Sequence, residues 1–528
     1  MKKIYSILAL ICLSAAVSAQ DFNIEWQNTV GGAGGDSMRA LFPTDDGGCV
    51  IAGGSFSEAS GDKSEGTIGP FGEDDYWIVK LDANGDVEWE NTIGGDQTDT
   101  PWSIKQTTDG GYIIGGDSLS NASGDKTEDA MIFDYWIVKL DSDGIIEWEN
   151  TIGGSQFDRD PTVMETSDGG FLVGGTSDSG ISGDKTEANI GDNDFWALKL
   201  NSNGVIQWQN TIGGTGSDRL HAMGSTSDGG YLLAGVSASN ISGDKTENSR
   251  GESDYWLVKV NATGTVQWDK TIGGPGVDVL ESVYQTSEGG YVLGGYSSSD
   301  AGGEKSENTL GFNDYWIVKL DAARTVTWEN TIGAADFEDL GYTYQSDDGG
   351  YVVIGQSNSN SGGDKTEDSN GSYDLWLIKL DASGNIVGQE TIGGSEADSL
   401  FFGEFAPSGS DLYIVCTSFS GISGDKTENN VGANDYWALK LSGILANEDF
   451  GIDNTIGLYP NPTQEVLHIS SKGEIQETKI FSVKGDLVQT VVADDTLRSI
   501  EVSGLPSGIY FLQITSEGKT TTKRFVKQ

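Results

Sequence analysis

Asp134-Tyr135-Trp136-Ile137-Val138-Lys139-Leu140 alternates aromatic and β-branched residues over seven positions, which is the pattern of a short strand. The same segment returns along the chain. Its tryptophan recurs as Trp77, Trp136, Trp196, Trp256, Trp316, Trp376 and Trp437, at spacings of 59 to 61 residues. A fixed period of this kind is the signature of a repeat architecture. A second series, Trp26, Trp89, Trp148, Trp208, Trp268 and Trp328, sits in segments close to Trp-x-Asn-Thr-Ile-Gly-Gly, and its seventh position holds Gly388. Asp-Gly-Gly turns such as Asp109-Gly110-Gly111 separate two further strands, glycine supplying the positive φ that a tight hairpin needs.

One repeat therefore reads as four short strands: A (102–106 in the second copy), B (112–116), C (135–140) and D (146–151). Four antiparallel strands repeated radially predict an all-β, seven-bladed β-propeller whose blades bury their faces against one another. The chain begins with a lone D-type strand, Asn23–Thr29, and the last repeat stops at strand C, Tyr436–Leu441. The N-terminal strand is expected to complete the seventh blade, because an open arrangement would expose unpaired edges. Thirteen of the 14 tryptophans belong to the two series and read as wedges between blades, while Trp102 stands outside them.

Length and charge limit what such a chain does. Its 528 residues exceed a usual single core, so a second domain is expected. With 31 basic and 81 acidic side chains the net charge is −50, which repels phosphate backbones and anionic lipid surfaces, and no nucleic-acid partner is expected. Residues 1–19 read as a signal peptide, with Lys2 and Lys3, an apolar run from Ile4 to Leu13, and cleavage after Ala19. Ile11 precedes Cys12 where a lipoprotein signal has a small residue. No later stretch has the ~18–20 apolar residues of a membrane span. The two remaining cysteines, Cys49 and Cys416, occupy non-equivalent repeat positions, which argues against a bridge.

From about Ile456 the period ends. Residues 456–528 hold eight basic and eight acidic residues and no tryptophan, and they alternate as short strands of a small β-sandwich. The expected organisation is a signal peptide at 1–19, a propeller at 20–443, a linker at 444–455 and a β-sandwich at 456–528.

Three resemblances follow from these residues. Asp134-Tyr135-Trp136-Ile137-Val138-Lys139-Leu140-Asp141 with Gly144, Thr151-Ile152-Gly153-Gly154, Asp158 and Asp168-Gly169-Gly170 resembles the bacterial β-propeller repeat family over about residues 21–443, and the Asp-x-x-Gly turn before the outer-strand tryptophan is similar to the tryptophan-docking repeats of quinoproteins. In the tail, Tyr459-Pro460-Asn461-Pro462, Leu505-Pro506-Ser507-Gly508-Ile509-Tyr510 and the closing Lys523-Arg524-Phe525-Val526-Lys527 resemble the type A C-terminal sorting domain of the type IX secretion system of Bacteroidota. That resemblance implies passage through the periplasm, recognition of the tail by the outer-membrane translocon, and delivery to the surface or medium.

Candidate sites lie where strand A begins. A carboxylate seven residues after the threonine that closes strand D recurs as Asp36, Asp99, Asp158, Asp218, Asp278, Glu338 and Asp398. A ring of these at a channel mouth could hold calcium, since hard cations take oxygen ligands, and the competing reading has each carboxylate bonding the amides of its own glycine-rich turn. The loop motif Gly124-Asp125-Lys126-Thr127-Glu128 also recurs in seven copies and is another calcium candidate, opposed by its central lysine; no cofactor is required. Where the repeat breaks, the start of strand A carries Arg39, Trp102, Arg159, Arg219 with His221, and Glu281, as a site for an asymmetric ligand demands. His221 is the single propeller histidine, so a histidine-based triad or metal site has at most that one member. The expected function is a secreted binding protein for a glycan or protein ligand; the alternative is an extracellular polysaccharide hydrolase or lyase using acidic residues on the loop face.

Overall fold

A computed structural model describes residues 22–442 apart from 71, 287, 347, 401–404 and 409–410. In the tail it describes 457–459, 463–470, 475–482, 487–492, 499–506, 508–516 and 519–527. The signal segment 1–19 and Pro460, Asn461, Pro462 and Ser507 of the sorting motif lie outside the described residues. The chain divides into two compact units, Met1–Ala446 and Asn447–Gln528. Among the described residues there is no helix.

In the first unit each repeat folds into one antiparallel sheet. In the second sheet, strand A is Asp99–Gln106, B Tyr112–Ser118, C Asp134–Leu140 and D Ile146–Ile152, paired in that order. Six such sheets begin with strand A at Asp36, Asp99, Asp158, Asp218, Asp278 and Glu338. A further sheet contains Asp398–Ser399, Phe405–Ser408, Asp411–Ser418 and Asp435–Ser442. The strand Asn23–Val30 pairs antiparallel with Asp435–Ser442, with Val30 opposite Tyr436. These repeated sheets resemble the blades of β-propellers.

The turns follow from single residues. Asp109 Oδ1 accepts from Thr107 Oγ1 at 2.5 Å and from Gly111 N at 2.9 Å, closing the A–B hairpin around Gly110 at φ +87°. Asp141 Oδ1 accepts from Asp143 N and Ile145 N to close the C–D turn, where Gly144 has φ +79°. A Cβ on Gly144 would lie 2.7 Å from the ring of Trp89, which belongs to the preceding sheet. The second tryptophan series thus packs against the next sheet's turn. Asn91 Nδ2 donates to Gly144 O at 2.8 Å beside it. Where Arg324 replaces this glycine, it still takes φ +66°, and its guanidinium sits 4.7 Å from the Trp268 ring.

Apolar packing joins consecutive sheets. Trp136 is fully buried, and its ring centroid lies 4.9 Å from that of Tyr76 in the preceding sheet. The same contact recurs as Tyr135–Trp196, Phe195–Trp256, Tyr255–Trp316 and Tyr315–Trp376. Tyr436 makes it with Trp77 at 5.0 Å. Each such pair adds ~0.5–1.5 kcal/mol beyond the area it buries. Cys49 and Cys416 are buried and free.

The loop motif has a structural role in this packing. Asp125 Oδ2 accepts from Gly94 N at 3.2 Å, Lys126 Nζ donates to Thr151 Oγ1 and lies 5.4 Å from the Trp136 ring, and Thr127 N donates to Glu149 Oε1. Trp136 Nε1 donates to the other oxygen of Glu149 at 2.7 Å. The lysine is buried on its own sheet's tryptophan.

The tail unit has two antiparallel sheets. One pairs Gly457–Tyr459, Val466–Ser470 and Ser499–Glu501; the other pairs Leu487–Val492, Ile475–Ser482, Gly508–Ser516 and Lys519–Lys527. Leu467, Ile469 and Ile500 of the first share an apolar core with Ile480, Leu512 and Ile514 of the second. Tyr510 is buried, and its hydroxyl donates to Pro506 O at 2.9 Å.

Two expectations follow. Gly144→Ala combines a positive φ with a clash against Trp89 and should lower stability by ~1–3 kcal/mol, read as a fall in the denaturant midpoint at unchanged slope. An unchanged midpoint would refute the packing described. The second concerns pH. Burial pushes the carboxyls of Asp75 and Asp117 up to about 7 and those of Asp99, Asp134, Asp194, Asp314 and Asp374 up to about 6. An unfolded aspartate titrates near ~4, so the folded chain keeps protons that the unfolded chain has released, and stability falls as pH rises from ~4 to ~7. Asp168 and Asp228, held at about 2 by hydrogen bonds from Thr166 and Lys199 and from Thr226 and Lys259, act oppositely, contributing above ~4 and losing that contribution as pH falls toward ~2. The Tm in about 0.5 M sodium chloride, which screens surface repulsion, should be higher near pH ~5 than near pH ~8. A Tm that rises across that interval would contradict the burial of these carboxyls.

Candidate functional site

Strand A carries an irregularity at the same place in six repeats. Its pairing with strand B shifts register between Met38 and Ala40, Pro101 and Ser103, Arg159 and Thr162, Leu220 and Ala222, Leu280 and Ser282, and Leu340 and Tyr342. A bulge frees a residue from the ladder and re-aims its side chain. The residues three beyond the repeated carboxylate, Arg39, Trp102, Pro161, His221, Glu281 and Gly341, all fall in these shifts, and all six line one cavity of about 840 Å³. The seventh equivalent lies outside the described residues.

The structure brings together Arg39, Trp102, His221 and Glu281 of the residues singled out from sequence. Arg39 Cζ lies 4.6 Å from the Trp102 ring, and Trp102 Nε1 donates to Asp117 Oδ2 at 2.9 Å. Asp117 is buried; burial first, and the neighbouring Asp160 second, push its carboxyl up to about 7. Asp160 N donates weakly to Asp117 Oδ2 at 3.4 Å, and Asp160 itself has φ +56°, an uncommon conformation outside glycine. Asp160 is exposed at the cavity surface, yet the protein atoms crowded around it partly desolvate its carboxyl and raise it, opposed by the positive charges of His221, Arg159, Arg219 and Arg39. His221 Nδ1 lies 3.2 Å from Glu281 Oε2; burial lowers its affinity for a proton, but Glu281 more than offsets this and holds the imidazole above its ordinary value.

Around this arc the wall is mixed. Lys105 Nζ sits 5.1 Å from the Phe42 ring, and Tyr284 packs against Tyr344 with centroids 5.5 Å apart. Asp339 accepts from Asn313 Nδ2 at 3.0 Å, and burial raises its carboxyl. Asp160, Asp339, Lys105, Phe42 and Tyr284 line the cavity and escaped the sequence reading. Their signal was available for Asp160, which follows Arg159 where other repeats place Met38, Pro101, Leu220, Leu280, Leu340 and Leu400. Arg159 and Arg219 do not line the cavity; they stand one residue beyond the repeated carboxylate, at the loop-side end of strand A.

The seven repeated carboxylates have a different place. Asp36, Asp99, Asp158, Asp218, Asp278, Glu338 and Asp398 are fully buried. Each accepts from the backbone amide four residues earlier: Asp36 from Gly32, Asp99 from Gly95, Asp158 from Gly154, Asp218 from Gly214, Asp278 from Gly274, Glu338 from Ala334 and Asp398 from Gly394, at 2.6–2.8 Å. Serine hydroxyls such as Ser120 Oγ, at 2.9 Å from Asp99 Oδ2, take up further acceptor capacity. Of the two readings offered by the sequence, this geometry is the one in which each carboxylate bonds an amide of its own turn. Among the described residues no group of three or more His, Cys, Asp or Glu side chains could hold a metal ion.

Solved structures resemble the chain at low identity. The extracellular domain of a hybrid two-component system protein from B. thetaiotaomicron is 9% identical with a TM-score of 0.39, covering 96% of this chain, which spans 60% of that one. The polysaccharide lyase Uly1 is 12% identical, with 82% of this chain and 94% of that chain covered and a TM-score of 0.41. The Pan2 WD40 domain of Neurospora crassa is 10% identical, with 80% and 98% covered and a TM-score of 0.39. No curated protein matches the sequence. Residues 457–528 match the secretion system C-terminal sorting domain. The chain is thus a protein of β-propeller-like sheets that carries a type IX sorting domain, a mark of Bacteroidota, and is secreted by that system to the cell surface or extracellular space.

Proposed function

We propose that residues 20–443 form a closed seven-bladed β-propeller that acts outside the cell as a binding protein for a glycan or protein ligand, with the cavity among the A strands as its ligand site. Residues 1–19 are its signal peptide, 444–455 a linker, and 456–528 a β-sandwich recognised by the translocon. Support for the closed form comes from packing: the seventh sheet's Tyr413, Val415 and Tyr436 share an apolar cluster with Met38, Ile51 and Trp77 of the first. The N-terminal strand also reaches the first sheet, where Trp26 Nε1 donates to Ala83 O and Asn28 Nδ2 to Gly85 O.

The observation that carries the binding reading is the bulge position. Turns, tryptophans and capping carboxylates repeat from sheet to sheet, whereas the six bulge residues are all different and line one cavity. Its size suits a small polar ligand, within the ~300–1,000 Å³ of typical sites. Trp102 and Tyr284 offer aromatic faces, and Arg39, His221 and Glu281 offer donors and acceptors for hydroxyl groups. The hydrolase or lyase reading rests on the raised carboxyl of Asp160 in the cavity, which could donate a proton to a leaving oxygen.

Two experiments address these claims. Removal of Asn23–Thr29 should lower the Tm of the whole repeat unit and expose strand Asp435–Ser442 to hydrogen exchange; a variant that melts like the intact chain would exclude closure by this strand. A glycan array with the full chain should give saturable binding without product release, and Trp102→Ala should weaken it about tenfold or more while leaving Tm within ~2 °C. Accumulating cleaved product would select the enzyme reading, and binding indifferent to Trp102→Ala would remove the cavity as the site.

A further inference from the structure

Most basic side chains of the repeat unit have evident tasks. The loop lysines lie on tryptophan rings as Lys126 does, and strand C lysines pair with carboxylates, as Lys139 does with Asp109 at 3.1 Å and Glu147 at 3.2 Å. Arg250 is held by Glu247 and Glu304, each at 2.9 Å. Arg159 and Arg219 differ. Arg159 rests its guanidinium 4.6 Å from the Phe157 ring, and Arg219 is exposed. Among the described residues neither guanidinium forms an ion pair or hydrogen bond, in a chain with 81 acidic side chains to choose from.

Their placement is common to both. Each is the first residue after the repeated carboxylate, in the adjacent third and fourth sheets, at the end of strand A from which Asp160 and Leu220 continue into the cavity lining. Asp160, which lines the cavity, feels the charges of Arg159, Arg219, His221 and Arg39, which come from three sheets; His221 and Arg39 line the cavity and the other two stand beside it at the strand end. Acidic side chains share this region, Asp160, Glu281 and Asp339 lining the cavity and Asp117 behind it, so the cations stand in a field of mixed sign, and Arg159 and Arg219 are the two among them without a close carboxylate partner. A guanidinium fork matches a carboxylate in a planar, two-point contact, which is the chemistry left unused here.

We propose that Arg159 and Arg219 recognise an anionic group at the mouth of the cavity, and that the ligand is an acidic sugar whose carboxylate meets these two side chains while its ring enters toward Trp102. The inference rests on the reading of the cavity as the ligand site. A single carboxylate is favoured over a polyanion because the −50 charge opposes a long charged chain, whereas short-range pairing with two guanidinium groups is set within the ~10 Å over which salt screens. The Tyr284 and Tyr342 side chains with Glu281 and His221 supply the acceptors and donors that a hydroxyl-rich ring uses.

The test titrates the full chain with a disaccharide capped by one uronic acid, with the methyl ester of that compound, and with an N-acetylated acidic dipeptide. The free acid is expected to bind about tenfold or more tightly than its ester, a preference that shrinks as salt is raised. The double variant R159Q/R219Q, with unchanged Tm, should bind acid and ester alike. Equal binding of acid and ester by the unmodified chain, or a preference that survives in the double variant, overturns the anion site while leaving the cavity as a sugar site. Tighter binding of the acidic dipeptide than of the uronide overturns the sugar class. Failure of both sugars to bind overturns this inference together with the reading on which it rests.

Discussion

Each sheet of the repeat unit has two apolar faces, and neither can be left to water. The contact that resolves this is the strand C tryptophan lying on the aromatic residue of the preceding sheet, as Trp136 lies on Tyr76. It is a directional constraint, since the tryptophan of one sheet packs on the residue before the tryptophan of its neighbour, a tyrosine in most sheets, Phe195 under Trp256, and Leu375 in the cluster of Trp437. The indole N–H must also be satisfied, and Glu149 accepts it while taking the amide of Thr127 on its other oxygen. A buried lysine then covers the ring. Ring, acceptor and lysine together fix the loop that joins strands B and C, so the interface between sheets and the shape of the loop face come from the same set of residues.

This coupling gives the acidic loop motif a structural task. In sequence, Gly124-Asp125-Lys126-Thr127-Glu128 offers carboxylates in seven copies, which invites a calcium reading. In the fold, Asp125 is engaged by Gly94 and Glu128 accepts from Thr151 N at 3.3 Å. Lys126 needs a low-charge seat on Trp136, where burial lowers its pKa while Glu149 and Asp99 offset this in part. A divalent ion beside that lysine would add repulsion without a free set of oxygens. The high acidity of the chain is thus partly structural, with aspartates used as caps where the turn amides need acceptors.

Much of the fold was legible because the repeat tests itself. Strand C, expected over 135–140, gains from six equivalents, and the observed strand, Asp134–Leu140, is one residue longer. The Asp-Gly-Gly turns were readable from local chemistry, since only the side-chain acceptor and the positive φ matter there. Gly388 was visible only as a missing tryptophan; its reason is three-dimensional. Tryptophans of this series pack on the next sheet's C–D turn, and the strand that pairs with Asp435–Ser442 comes from Asn23–Val30, so among the described residues the sheet after Gly388 has no C–D turn. The site was half legible. Arg39, Trp102, His221 and Glu281 stood out as departures from the repeat, but Arg159 and Arg219 occupy a different register position, and one residue of register decides whether a side chain enters the cavity.

The bulge is what allows a rigid repeat to carry a variable site. At an ordinary strand position each side chain is committed to one face of its sheet and to the neighbour packed there, so a change from arginine to tryptophan to glycine would disturb the interface. The residue between the two paired stretches of strand A donates no ladder contact and packs in no interface cluster, so its identity is released from the demands that fix Tyr76 or Trp136. Six such positions face one cavity, and substitutions there alter shape and charge with little effect on the sheets. Asp160 shows the cost of extending this freedom by one residue. It takes a left-handed backbone where its counterparts are apolar or proline, and it places a carboxyl of raised pKa beside a cluster of cations. A conformation of that kind persists only when its surroundings over-determine it, and here they are the buried Asp117, the Trp102 indole that binds Asp117, and the Arg39 guanidinium that lies on the indole.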